Sequence, residues 1–535
     1  MTLTESIVLL PCHSLEDFPT YHVGDDAEGL LAAWSALWHP ALLSASLKMP
    51  AWRRADDPPT PQSGMLIVVP TVVRHELPSD YTDRALASGA VLIEGLHRRR
   101  DIVERALAGI EPSTSEQAAG AAPGGLQVES APQWDDVDLA ADFLAVGVAH
   151  LLTELLTRRM RYMSNLDETA FNDAVLAAAT AAKNGDADHA RDHLRRACEV
   201  LYEARAHFYP VDSYLIDLTL VATTTIGASL RRELASDLPT NLLVAGQVIE
   251  EMATREPESL AMVQKRLAEQ TVALIGGEYC EAELPLLPLE TIRQEFARGR
   301  QAYQKYLGVV PDIFGRRRAG LTPALPQILR GFEYRGALHF TLDDGRFPQP
   351  DRSKALWEGL SATAIDAIGR PPLDAGEPAS ILTLTEKLGE SMDYDFVSMI
   401  SFAHWPALAS EYYGDLRRIS KYAAVLGRWI SLEEFFTSTD SAGAFSKFSA
   451  DQYRAPFLKQ AVANGDPDPL SRHVRRRADE YRRYACSAID CWSALLAGVD
   501  RGSPVDALAN VSSAEMSDDL TRQVETAKQA LAATL

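Results

Sequence analysis

Between Tyr214 and Phe402 the chain alternates short, continuous apolar runs with segments of helix length. The runs are Tyr214–Thr223, Asn241–Ala245, Val272–Ile275, Ala337–Leu342, Ile381–Leu384 and Val397–Phe402. A strand that is apolar at consecutive positions has no face for water, so both of its faces must be covered. Helical crossovers between parallel strands supply that cover. The pattern therefore predicts an α/β fold with a largely parallel sheet, either closed as a barrel or open.

The N-terminal part repeats the theme. Ser6–Pro11 and Met65–Pro70 read as strands, Ala90–Ile93 as a third or as the start of the following helix, and a helix starts at Asp25-Asp26 and runs to about Trp38. Residues 111–133 are rich in Pro, Gly, Ser and Ala and read as a surface loop or linker. Residues 134–207 read as helical: one helix over 136–163, then a hairpin of helices over 167–183 and 186–207 that breaks at Asn184-Gly185. One such hairpin cannot bury its own apolar face and no second copy follows, so it is expected to be an insertion and not a repeat array. Residues 407–535 are expected to form a helical C-terminal region.

A net charge of −22 excludes general nucleic-acid binding, which needs a basic face. The sequence contains no run of eighteen apolar residues, so no membrane span is expected. The N-terminus lacks the basic stretch of a signal peptide, and the five cysteines have no metal-ligand spacing, so a reducing, cytoplasmic setting is expected.

Chemistry concentrates where apolar runs end, because strand-end loops converge on one mouth in β/α barrels. After Ile275 the chain reads GGEYCEAELPLLP, which puts Glu278, Glu281 and Glu283 just past a strand. After Leu342 come Asp343-Asp344, although the following Gly345 makes this equally a turn signal. After Pro11 come His13 and Asp17, types that can hold a metal or a sugar hydroxyl. His404-Trp405 closes the last run, where an indole can stack on a sugar and an imidazole can reach a hydroxyl or a metal. Trp357 is a second stacking candidate. Asp217 sits inside an apolar run and needs a partner, either a metal or a structural one. Arg316, Arg317 and Arg318 form a basic run suited to a phosphate or carboxylate.

The segment GGxYxE…LPxLP, a helix, and then LGVVP resembles glycoside hydrolase family 57 and the related family 38, which includes α-mannosidases. The resemblance covers residues 5–20 and 210–405. It implies a distorted seven-stranded (β/α) barrel of the glycoside hydrolase and deacetylase type, with a carbohydrate substrate. On that frame residues 1–110 and 208–406 make the barrel, 134–207 a helical insertion and 407–535 the C-terminal region. At the place corresponding to the family's catalytic nucleophile the chain has Arg317 or Arg318, and a guanidinium cannot attack an anomeric carbon.

The expected function is thus a glycosidase or glycan transferase acting on α-linked sugars. Its catalytic acids are drawn from Glu278, Glu281 and Asp344, and its substrate contacts from His13, Asp17, Arg317, Arg318, Trp357, His404 and Trp405. Its cofactor is either none or one divalent metal, with zinc the candidate, on His13, Asp17, Asp217 and His404. The expected partner is a carbohydrate, with neither nucleic acid nor membrane. The alternatives are an inactive glycan- or protein-binding relative, prompted by the arginine run, and a metal-dependent deacetylase-like hydrolase.

Overall fold

The computed structural model describes residues 3–110, 136–159, 161–343, 345–443 and 445–497, with five isolated positions beyond. The chain folds as a mixed α/β protein with two mainly parallel sheets and a thick helical layer between them. The linker reading of 111–133 lies outside the described residues.

The first sheet has four parallel strands: β1 (Glu5–Leu10), β2 (Ala51–Arg54), β3 (Met65–Val69) and β4 (Val91–Glu94), in the order β2-β1-β3-β4. Alternate residues of β1 and β3 point to opposite covers. Ile7, Leu9, Ile67 and Val69 pack with Tyr81 and Ala85 of the helix Tyr81–Ser88, while Val8, Leu10, Leu66 and Val68 face the central helices. These strands hydrogen-bond only to one another, so residues 3–110 form a sheet of their own where the family resemblance implied one continuous barrel.

The helical layer joins the helices Gly24–Ala36, Val137–Glu154 and Pro378–Tyr394 with the hairpin Glu168–Lys183 and Ala187–Phe208. The hairpin lies where the sequence placed it. Gly185 turns it at φ +77° and Asp186 caps its second helix on the His189 N–H. Its apolar face, including Phe171, Val175, Leu194 and Leu201, packs into the shared core. The stretch Val137–Arg159 is long and apolar enough to cross a membrane by composition, but 78% of it is buried inside the protein. It is the core helix of this layer. Ile381–Leu384, expected as a strand, is one face of the helix Pro378–Tyr394. A short apolar run looks alike in a buried strand and a buried helix.

The second sheet contains β5 (Ser213–Leu220), β6 (Thr240–Leu243), β7 (Val272–Ile275), β8 (Ile313–Phe314), β9 (Gly336–Leu338), β10 (Lys354–Glu358), β11 (Ala364–Ile368), β12 (Leu373–Asp374), β13 (Ser398–His404), β14 (Arg428–Trp429) and β15 (Phe445–Lys447). The path is β12-β13-β5-β6-β7-β8-β9-β11-β10-β15, with β14 beside the start of β5. All pairs are parallel except β10 with β11. One face of seven strands feeds a single apolar cluster: Met399, Ile216, Leu243, Ile275, Ile313, Leu338 and Ile368 from β13, β5, β6, β7, β8, β9 and β11. Phe435 and Phe436 of the helix Leu432–Ser438 fill it at the strand starts.

Those two rings show that the sheet curls. The Tyr214 ring of β5 lies 5.8 Å from that of Phe435, and Lys354 Nζ of β10 lies 5.5 Å from the same ring. In a flat sheet β5 and β10 would be six strand spacings apart, roughly 29 Å. The strand ends of β7, β8, β9 and β13 therefore surround one mouth. The hydrogen-bonded path itself runs on to short edge strands, β12 and β15, so the sheet is barrel-like and carries more strands than the seven expected. Two of the eleven, β14 and β15, fall in the region expected to be wholly helical.

Gly299, in the helix Leu289–Leu307, sets how closely that helix meets the loop after β7. A Cβ there would sit 2.1 Å from Gly277 O and 2.7 Å from the Glu278 carbonyl carbon. Gly299→Ala is expected to destabilise the protein by roughly 1–3 kcal/mol in chemical unfolding. Gly331→Ala, where a Cβ meets nothing within 4 Å, is the control and is expected not to destabilise. Equal stability of the two variants would contradict this packing.

Candidate active site

The mouth is built from three consecutive strand ends and one across from them. β7 ends in Gly276-Gly277, where a Cβ on Gly276 would strike Val244 O at 2.4 Å, so only glycine lets the chain pass. Glu278 and Glu281 follow. β8 ends at Phe314, and Arg316, Arg317 and Arg318 come next. The chain then turns through Ala319 and Gly320, both at positive φ (+69° and +74°). Asp343 follows β9, and Trp405 follows β13.

The carboxylates at the end of β7 are handled in opposite ways. Glu278 is 2% exposed. Burial pushes its pKa up to about 7, although Arg316 opposes the shift. Arg316 Nη1 stands 3.4 Å from Glu278 Oε1, an ion-pair distance without hydrogen-bond geometry. Arg316 spends its donors on Gly320 O (2.8 Å) and Ala282 O (2.5 Å). Glu278 Oε1 and Arg316 Nε consequently have no hydrogen-bond partner. Glu281 is also buried but fully engaged. It accepts from the Arg317 backbone N–H (2.7 Å), from Nε (3.1 and 3.2 Å) and from Nη2 (2.8 Å). A guanidinium fork thus holds both oxygens of Glu281. The site sets a carboxyl that titrates near neutrality, Glu278, beside one whose oxygens are taken by Arg317.

Arg317 also lies over the Trp405 ring, 5.7 Å from its centroid, and so spans the mouth from β8 to β13. Arg318 is different. Its side chain is 69% exposed, and its Nε stands 3.8 Å from Glu281 Oε2. Asp343 is tied into the turn, accepting from Ala319 N (2.9 Å), Thr341 Oγ1 (2.8 Å) and Gly345 N (3.2 Å). Asp344 lies outside the described residues.

The other expected site residues go elsewhere. Asp217 and His404 meet, at 2.8 Å between Oδ1 and Nε2, but on the outer face of the sheet beneath the helix Glu411–Ile419. Tyr413 and Thr219 donate to Asp217, and Arg417 bonds Glu233 nearby. His404 Nδ1 faces Trp405 O at 3.2 Å. A carboxylate thus stands at one ring nitrogen and a carbonyl at the other. Burial disfavours the imidazolium, but Asp217 raises the His404 pKa on balance, and His404 lowers that of Asp217. Protein oxygens therefore occupy both ring nitrogens. His13 and Asp17 are exposed at the end of β1, on the first sheet and across the helical layer, so the four expected metal ligands do not form one set. Among the described residues no three His, Cys, Asp or Glu side chains are spaced to hold a metal ion. Trp357 is 1% exposed and packs on His339, 4.5 Å between ring centroids, which removes it from sugar stacking.

Residues 188–355 match the model of glycosyl hydrolase family 57, a span that holds β5 through β9 and both mouth carboxylates. Over that span the chain is similar to the family. No curated protein matches its sequence. Among solved structures it is similar to a 4-alpha-glucanotransferase from Thermococcus litoralis (12% identity, 48% of this chain and 47% of that one, TM-score 0.33). It is also similar to an alpha-mannosidase from Enterococcus faecalis V583 (12% identity, 60% and 41%, TM-score 0.38). A family 4 acetyl xylan esterase from Clostridium thermocellum is a third (13% identity, 42% and 91%, TM-score 0.26). The chain spans less than half the length of the first two. TM-scores this low do not by themselves establish a shared fold.

What reading the sequence missed at the mouth is Arg316. It was legible only as one of three arginines, and nothing local marks it as the buried one. The partners of Asp217 were equally hidden, since Tyr413 and Arg417 lie about two hundred residues away in sequence.

Two outcomes follow. Because the folded pKa of Glu278 lies above its unfolded value of 4.5, its contribution to stability is complete below pH 4.5 and is lost as pH rises through about 7. Chemical unfolding across that window should show a decline of about 3 kcal/mol that Glu278→Gln removes; parallel pH curves for the two proteins would refute it. Asp217→Ala leaves the buried His404 ring and the Tyr413 hydroxyl without their carboxylate and should cost roughly 3–5 kcal/mol, read by thermal unfolding.

Proposed function

We propose that this protein is a carbohydrate-active enzyme that acts on α-linked sugars at the mouth of the second sheet. The observation that carries this is the pair at the end of β7: Glu278, whose pKa burial raises to about 7, beside Glu281, whose oxygens accept from Arg317. Cleaving a glycosidic bond needs one group to give the leaving oxygen a proton and another to meet the positive charge that develops on the sugar. Glu278 supplies the first role. Glu281 supplies the second, as base or charge stabiliser, without a metal in either step. The family 57 match over this segment supports a carbohydrate substrate.

A second reading has its own support. All of the Glu281 carboxylate is taken up by Arg317, and guanidinium groups stand where the resemblance puts the family's nucleophile. A protein of this kind binds a glycan and does not cleave it.

Turnover on a panel of aryl α- and β-glycosides and α-glucan oligosaccharides separates the two. The enzyme reading expects multiple turnover that falls as pH rises past about 7, as Glu278 loses its proton, and that drops about a hundredfold or more in Glu278→Gln. Glu281→Gln should also be strongly impaired. Saturable glycan binding with no turnover by the wild type at any pH would establish the binding protein instead.

A further inference from the structure

The chain leaves the core helix Val137–Arg159 in a strained conformation. Tyr162 sits at φ +59°, a left-handed backbone that a bulky side chain enters only under constraint, and its ring is 82% exposed. Met163 beside it is more than half exposed. Arg161 supplies the constraint: it bonds Asp393 and lies 4.4 Å over the Tyr209 ring.

Asp393 brings a second apolar segment to the same place. Tyr394 is 73% exposed and Phe396 more than half. A third segment joins through sheet register. Ser398 of β13 pairs with Ser213 of β5, so Phe396 and the exposed Val211, each two residues earlier, enter on neighbouring strands. The five side chains thus gather at the strand-start end of β5 and β13, away from the mouth. Together they show on the order of 600 Å² to solvent, since one large side chain buries roughly 150–250 Å². That reaches the upper end of the about 300–600 Å² patches that monomers carry, and most of the roughly 800 Å² per partner that a stable interface covers. Tyr, Phe, Met and Arg are also the types that interface centres favour.

Charge narrows what covers the patch. At net −22, two copies of the chain repel over most of their surface. Here the charges are paired within the face: Arg161 with Asp393, Arg159 with Glu386 at 3.9 Å, Arg370 with Asp395 at 3.0 Å, and Asp212 near the buried Arg205. A locally balanced face is where like copies approach most easily, and one carrying both signs can complement itself across a twofold axis. A basic partner would be drawn to acidic surface elsewhere. A glycan would need unspent polar groups for its hydroxyls, and these charged groups are engaged with one another.

We propose that Tyr162, Met163, Val211, Tyr394 and Phe396 form the centre of a twofold interface with a second copy of this chain. The strained turn then holds the Tyr162 ring ready for its partner, so little ordering remains to be done on association. The interface is independent of the carbohydrate reading.

Sedimentation equilibrium of the full-length protein tests this. The expected result is a dimer with a Kd of about 10 μM or tighter. Phe396→Ser should weaken it at least about tenfold. Tyr162→Gly separates binding from folding, because glycine adopts this φ without strain. Its monomer stability, read by chemical unfolding well below the Kd, should hold or rise while the dimer weakens at least about tenfold. Leu86→Ser, at an exposed apolar position on the outer cover of the first sheet, should leave the dimer unchanged. A protein that stays monomeric up to about 100 μM overturns the proposal. So does a dimer that Phe396→Ser and Tyr162→Gly both leave intact, which would place the contact elsewhere. Binding of an α-glucan oligosaccharide to a monomer, lost in Phe396→Ser, would assign the face to a glycan and overturn it as well.

Discussion

Everything at the mouth depends on one packing constraint: seven strands must bury their inner faces against one another, with almost nothing else to cover them. The cover available is Phe435, Phe436, Ile430 and Leu432, too little for a flat sheet of this width. Curling solves the problem by letting Ile216, Ile275, Leu338 and Met399 cover each other. It also brings the strand ends around a common space. Arg317, after β8, can then lie on Trp405, after β13, with three strands between them in the path. Site and core are consequences of the same curvature.

The outer faces are satisfied differently. Those of β6 and β7 pack on helices, and those of β5 and β13 pack on the helical layer shared with the first sheet. Charge is buried there too, with Asp217, His404, Arg417 and Glu233 under one helix and Arg99 with Asp415 joining the first half of the chain to the second. A buried ion pair is weak evidence for net stability, because desolvation offsets most of its attraction. It does fix geometry. His404 Nδ1 meets the carbonyl of Trp405 at 3.2 Å, so this network sets where the mouth's aromatic residue begins.

Much of this was legible in local sequence. Continuous apolar runs marked strands covered on both faces, Asn184-Gly185 marked the hairpin, and GGEYCEAE marked a strand end loaded with acid. The misreadings share one cause. Ile381–Leu384 is apolar enough for either kind of buried element, and its partners made it a helix. Trp357 carries no local sign that it will be enclosed by His339 and Tyr453. His13 and Asp17 resemble a site because they follow a strand, but the strand belongs to another sheet.

The sequence by itself determined the class of fold, the main buried strands of both sheets, and the strand end at which Glu278 and Glu281 would stand. These follow from periodicity and turn chemistry, which act over a few residues. Only the tertiary structure decided that Glu278 loses water and Glu281 gains a guanidinium, that Arg316 is buried while Arg318 is exposed, and that His404 serves Asp217 and Trp405. Burial and pairing depend on which distant segments arrive alongside, and two glutamates three positions apart acquire opposite chemistry from neighbours that sequence spacing does not encode.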